Sequence, residues 1–479
     1  MLRLLVSLAL FLPLLAHARP AEQLWYSVLL DARKIGSFES SRTVKAGVVT
    51  TRQLLDIEFE RAGTSIVMSS HETSEETIDG RPLGFSSISK LSGSDMQVDG
   101  RLQGETLHVR VNNAAGVQDR QMPWPQGALL AEGLRLASLE IPLKQGQQYT
   151  DLSFQPSSLS AVKVTSTIGE REAVSLPSGK KTLQKIEQVF DFSGTPVRNT
   201  AWIDRERDVY KLTMPAIGVE LTLIECSKAC ATAPNQSSDV FKHTLMQSPR
   251  ALLREETATS LRYTIAPIGD GAPLEFPQTS EQSIERDGRS LIVEVHRDAQ
   301  PGISQPPEPS DYIANDWLQS EAPEILALAR EATTGIEGDA ARMRVLESFV
   351  RGFITDKSLG VGYASALQIV RNPEGDCTEH AVLLAAMGRA LGIATRVVDG
   401  LAYSDTFAGR RNVFVPHAWM QAWVDGRWQS YDAALAGFDA GHIAFSSGDG
   451  DPWRFYNGLD LLGRTQLLKV ESMGVATRQ

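Results

Sequence analysis

The hydrophobic pattern of this chain changes period once, and that change limits what it can build. From Glu22 to about Val240 the apolar residues recur mostly at every second position. The runs 24–30, 48–59, 107–111, 161–167, 186–192 and 210–213 read as strands, because alternation sends every other side chain to one face of a sheet. Turn chemistry lies between them, as at Asp79-Gly80, Asp99-Gly100 and Asn112-Asn113, with one helical stretch at 126–138. So many short strands in succession predict a large antiparallel sheet, curved or partly closed.

A smaller β-rich segment follows at about 248–295, and then residues 301–310 hold four prolines. Such a stretch favours extended polyproline geometry and reads as a linker. Beyond it the period becomes helical. Ser320 can cap a helix over 323–332, Asp339 a second with Met343, Leu346, Phe349, Val350 and Phe353 on one face, and Ser365 a short third. Residues 377–391 are apolar nearly all round and stop at Gly392, which predicts a buried helix. The runs 394–403, 417–424 and 427–432 are strand-like, and Asp425-Gly426 joins the last two as a hairpin turn. Helices followed by a small antiparallel sheet make an α+β domain. The expected organisation is therefore a signal peptide at 1–18, an antiparallel β-rich domain at 19–240, a small β-rich segment at 241–300, a linker at 301–310 and an α+β domain at 311–479.

The start of the chain carries Arg3, an apolar run from Leu4 to Leu15, and Ala16-His17-Ala18 as a cleavage site. That run is too short to span a bilayer as a helix, so export to the periplasm or beyond is expected, without stable membrane insertion. The net charge of −11 argues against a general nucleic-acid binder, which needs a basic face to displace phosphate counterions. Export also changes how the three cysteines are read. In an oxidising compartment Cys226 and Cys230 are close enough in sequence to form a disulfide. Cys377 is left over, and an odd thiol is either an inert core residue or a nucleophile.

Cys377 opens the buried helix, where unpaired backbone amides and the helix dipole favour a thiolate. A two-residue turn at Asp425-Gly426 places Trp423 opposite Trp428 and Gln421 opposite Ser430, which makes His417 and Asp432 diagonal neighbours on one face. A slip of one residue would send them to opposite faces. Thiol, imidazole and carboxylate are the parts of an activated nucleophile: His417 would take the thiol proton and Asp432 would orient the ring. The Cys377 amide, assisted by Gln368, would face the oxyanion. His380 competes as base but has no carboxylate beyond Glu379. Cys377, His380, His417 and Asp432 could be read as a mixed zinc set, but no second spaced pair supports it. Asp449-Gly450-Asp451 lacks a calcium-loop ligand pattern. No metal or cofactor is expected.

The runs Gly375-Asp376-Cys377-Thr378-Glu379-His380-Ala381, Arg389 to Gly400, His417-Ala418-Trp419 and Tyr431-Asp432-Ala433 together resemble the core of the transglutaminase-like superfamily. The resemblance covers about residues 310–450. It implies a papain-like α+β fold with Cys377 as nucleophile, His417 as base and Asp432 as orienter. It also implies a protein or peptide substrate, an envelope component being one candidate, attacked at an amide to give a thioester that water or an amine resolves. The opposing expectation is a non-catalytic binding or scaffold module with a vestigial triad.

Overall fold

The computed structural model describes residues 21–61, 64–91, 94–113, 116–192, 195–216, 219–236, 244–269, 273–300, 305–357, 364–450 and 461–473. The expected signal peptide at 1–18, residues 301–304 of the expected linker, and Asp451 lie outside them. The chain divides into two compact units, one ending at Asp239 and the other beginning at Val240. The described residues are 54% strand and 17% helix, so the chain is mostly β, and α+β describes its C-terminal part.

In the first unit the alternation is realised as one sheet of fifteen strands. Strands from Ala21–Leu30 to Gly116–Pro123 follow one another as antiparallel neighbours, and those from Gln148–Gln155 to Val219–Cys226 do the same. The two series meet where Ala21–Leu30 pairs with Val219–Cys226, with Trp25 opposite Cys226. The expected period is visible in Thr64–Thr77, which buries every second residue from Ile66 to Glu76. Asp99-Gly100 is a correction: it lies inside the strand Ser94–Gln103 and makes no turn. A Cβ on Gly100 would collide with the Phe85 ring across the strand pair, so this glycine serves close packing.

The expected helical stretch forms as Ala131–Glu140. Its buried Glu132 sits between Arg42 and Arg135, each 2.7 Å away. The Glu76 carboxylate accepts the first-turn amides of Glu132 and Gly133 at 2.7 and 2.9 Å. Cys226 and Cys230 are joined by a disulfide with Cα atoms 5.9 Å apart, and Ser227 between them caps the short helix Lys228–Ala231.

In the second unit, helices Pro323–Ala332, Asp339–Phe353, Ala366–Arg371 and Cys377–Ala390 gather around one apolar core. The last is buried along almost its whole length from Glu379 to Arg389, as an all-round apolar helix must be. It packs on a sheet whose central strands are Thr395–Phe407 and Arg410–Val424. His442–Gly448 pairs with the first of these, and Arg427–Tyr431 with the second.

The segment expected as a separate β-rich piece at 241–300 is tied into this unit. Its strands Ser260–Pro267, Gln282–Asp287 and Ser290–His296 share a sheet with Thr465–Ser472 from the far end of the chain. Buried Glu281 accepts Ser430 N at 2.7 Å and Gln421 Nε2 at 3.0 Å, which fixes the segment to the hairpin strands.

Candidate active site

The local sequence around Cys377 fixes a helix start. Asp376 is the N-cap, its Oδ1 accepting Thr378 N at 2.9 Å. Glu379 answers three residues later, its Oε2 accepting Asp376 N at 2.9 Å, so Asp376 and Glu379 form a capping box around the first turn. Glu379 Oε1 also accepts Ala364 N at 3.0 Å. Its carboxyl is fully buried, and burial, then the nearby Asp376 charge, pushes it up to about 8. A Cβ on Gly375 would collide with this side chain, so the approach to Cys377 requires glycine there. Cys377 is the first helical residue and the cysteine that lies outside the disulfide; it is half-buried and packs against the core cluster that includes Ala418.

The hairpin supplies the other half. Asp425 and Gly426 have φ of 50° and 75°, as a tight two-residue hairpin turn demands. The register runs Val424–Arg427, Trp423–Trp428, Gln421–Ser430 and Met420–Tyr431, as the turn chemistry predicts. Asp432 follows directly after the last pair. His417, opposite Gly400 on the neighbouring strand, places Nε2 2.8 Å from Asp432 Oδ2. Both side chains are buried. Because a carboxylate can only accept, the ring nitrogen bonded to Asp432 carries its proton and Nδ1 is the basic nitrogen.

Asp432 is held on every side. Its Oδ1 accepts Ala434 N at 2.8 Å and Leu435 N at 3.0 Å. Its backbone N donates to Glu347 Oε1 at 2.8 Å, and its carbonyl accepts Arg351 Nη2 at 3.0 Å. Sequence reasoning missed these anchors on Asp339–Phe353, since an exposed-looking Glu and Arg four apart carry no signal of their target. It also missed His442, whose Nε2 lies 3.1 Å from the same Oδ2 of Asp432. Burial alone would raise the Asp432 carboxyl, but the adjoining imidazoles of His417 and His442 outweigh it and hold the group well below the usual carboxylate range.

The rival base is placed differently. His380 Nδ1 is 2.6 Å from the Asp376 carbonyl, so that nitrogen is the donor and Nε2 keeps its lone pair. Burial lowers this imidazole's basicity, and its Nε2 has no hydrogen-bond partner among the described residues. Gln368 uses Oε1 to accept Ser365 N at 2.7 Å in the capping box of its own short helix. Asp399, behind His417 on the adjoining strand, is pushed up to about 7 by burial. Among the described residues, His417, Asp432 and His442 could together hold a metal ion, with one ligand atom from each and all within 4.8 Å. Both imidazoles aim Nε2 at one carboxylate oxygen, which two hydrogen bonds already satisfy. Cys377 and His380 are not part of that group.

Residues 326–433 match the transglutaminase-like superfamily. No curated protein matches the chain. Among solved structures it is similar to a β-barrel-like protein of a domain of unknown function from Brucella abortus, at 14% identity over 44% of this chain and 98% of that one, TM-score 0.35. It is also similar to a proposed cysteine protease from Cytophaga hutchinsonii, at 14% identity over 46% of this chain and 84% of that one, TM-score 0.29. A proposed protease from Parabacteroides distasonis is similar at 10% identity over 83% of this chain and 68% of that one, TM-score 0.19. No helix among the described residues is long and apolar enough to cross a membrane.

Proposed function

From a transglutaminase-like core at residues 326–433, we propose that this chain is an exported cysteine-dependent acyl-transfer enzyme acting on peptide or glutamine-type amides. The observation that carries this reading is the His417–Asp432 pair at 2.8 Å, on a sheet against which the Cys377 helix packs. An imidazole with one nitrogen fixed on a buried carboxylate is a base with a defined tautomer, and a thiol at a helix start is readily ionised.

The chemistry follows from these roles. His417 Nδ1 takes the Cys377 proton as sulfur attacks the amide carbon, giving a tetrahedral oxyanion that the Cys377 backbone amide can face. The imidazolium then returns the proton to the departing nitrogen as the C–N bond breaks, leaving a thioester. Water or an amine attacks the thioester with His417 again as base, and the thiol is restored. Gln368 remains our second candidate for the oxyanion, acting through its amide nitrogen. Export to the periplasm or beyond, and an envelope protein or peptide as substrate, complete the proposal.

The reaction type is tested by incubating the purified protein with envelope extract and a labelled primary amine, alongside Cys377→Ala. Label that enters protein only with wild type means transamidation, and new peptide fragments mean hydrolysis. If wild type and Cys377→Ala give identical products throughout, the enzyme reading fails and the chain is a binding module.

A further inference from the structure

Asp432 is shared by two imidazoles, and only one of them is needed for the chemistry above. We propose that His442 is a positioning residue of the thiol site, holding Asp432 Oδ2 against His417 through a continuous chain His417–Asp432–His442–Asp439. The inference rests on the thiol–imidazole reading of the site and adds a fourth and fifth side chain to it.

The hydrogen-bond count carries the argument. A carboxylate has about four lone-pair sites. Asp432 Oδ1 fills two with the amides of Ala434 and Leu435, and Oδ2 meets Nε2 of His417 at 2.8 Å and Nε2 of His442 at 3.1 Å. With all four satisfied the carboxylate cannot rotate, and no site is left for a proton or a water. Take His442 away and one lone pair on the oxygen that orients His417 is open again.

The other face of His442 shows why it can play this part. Its Nδ1 is 3.1 Å from both the carboxylate Oδ1 and the carbonyl O of Asp439, and 3.3 Å from Asp439 N. Nε2–H donates to Asp432 in either state of the ring, and the flanking carboxylates of Asp432 and Asp439 favour the protonated form, in which Nδ1 donates to the Asp439 oxygens. Asp439 is itself fixed by Gly441 N at 2.8 Å. Trp419 meets the His442 ring edge-on at 5.2 Å and Phe438 lies 4.9 Å away, so the ring has one orientation. The titratable groups around it are Asp432 and Asp439 in direct contact and His417 with its ring centroid 5.6 Å away. Behind these stand Glu347 and Arg351 on the helix that grips Asp432, and Asp399 on the strand beside His417. Nothing in the local sequence Gly441-His442-Ile443 announces this, because the partner carboxylate is ten residues away across a loop.

The test is the pH profile of Cys377 alkylation by iodoacetamide in the full chain, comparing wild type with His417→Ala, His442→Leu, His442→Gln and Asp439→Asn. His442→Leu should slow alkylation about 10- to 100-fold, the effect of losing one charge-assisted hydrogen bond. It should also move the acid limb of the profile to higher pH, because Asp432 becomes easier to protonate. His442→Gln restores an N–H donor and should recover most of the rate. Asp439→Asn should move the limb in the same direction by less, and it covers the case in which His442→Leu does not fold. A merely structural role would scale the profile without moving its limb. If His442→Leu is folded by circular dichroism and its profile superimposes on wild type while His417→Ala abolishes reactivity, this inference is wrong and the enzyme reading stands. If His417→Ala also changes nothing, both are wrong.

Discussion

His417 and Asp432, fifteen residues apart in the chain, meet at 2.8 Å because a two-residue turn at Asp425-Gly426 sets their strands in one register. The site depends on that register as much as on the residues themselves.

Asp432→Asn should retain the fold but present His417 with an amide that can donate as well as accept. The ring could then settle in the wrong tautomer, with Nδ1 protonated and useless as a base. Turnover, or thiol alkylation near neutral pH, should fall by about 10²- to 10⁴-fold. Two-dimensional NMR of the imidazole nitrogens would show the tautomer directly.

Inserting one residue between Asp425 and Gly426 should reverse which face carries Asp432. The protein should remain folded, since Trp423 and Trp428 can still cover apolar surface, yet Cys377 should react as an ordinary thiol. Alkylation kinetics that match wild type would show that the register does not matter.

Gly375→Ala should destabilise the helix start, because the added carbon meets Glu379, whose carboxyl is pinned by the amides of Ala364 and Asp376. Overpacking of this kind costs about 1–3 kcal/mol, and urea unfolding would measure it. A smaller cost of Gly375→Ala in a Glu379→Ala background than in wild type would identify the collision as the cause.

Stability should fall as pH rises from about 5 to 8. Burial, then the nearby Asp376 charge, lifts Glu379 to about 8, and burial lifts Glu281 to about 7, from 4.5 in each case. The unfolded chain therefore releases protons across this window that the folded chain keeps. His442 acts in the same direction. Burial opposes its charge, but Asp432 and Asp439 raise it, so its contribution is full below about 6.5 and is lost as pH passes its folded value. Asp432, depressed instead, contributes above about 3.8 and loses that only in strong acid. Urea midpoints at pH 5 and 8 should differ in this sense, and Glu281→Gln should flatten part of the slope.

The disulfide should be separable from the chemistry. Thiol titration in denaturant without reductant should find one thiol per chain, and three after reduction, since Cys226 and Cys230 are paired. Closing so short a loop contributes about 2 kcal/mol by chain entropy. Replacing both residues by serine should lower stability by no more than that and leave Cys377 reactivity unchanged.

Much of the C-terminal site could be read from sequence because its geometry is local or set by one short turn. A thiol at a helix start and a hairpin with Asp-Gly at its tip each follow from a few adjacent residues. The alternation from Glu22 to about Val240 likewise forecast a large antiparallel sheet, although no pattern forecast that fifteen strands would share it. Failures came wherever distant segments meet. Gly100 resembled a turn because the Phe85 ring it accommodates is on another strand. The strands of 260–296 seemed separate because their partner, Thr465–Ser472, arrives from the end of the chain. His442, Asp439 and Glu347 were silent for the same reason: each acts on Asp432 across a loop or from a helix.

The central claim is that Cys377 is a nucleophile whose proton goes to His417. It is tested most directly by the rate of iodoacetamide modification of Cys377 at pH 6, read by peptide mass spectrometry in wild type and His417→Ala. The account predicts rapid modification of wild type at this pH, well below the ordinary thiol range near 8.5, and a loss of at least about tenfold in the variant. Equal, slow modification of both proteins would contradict it.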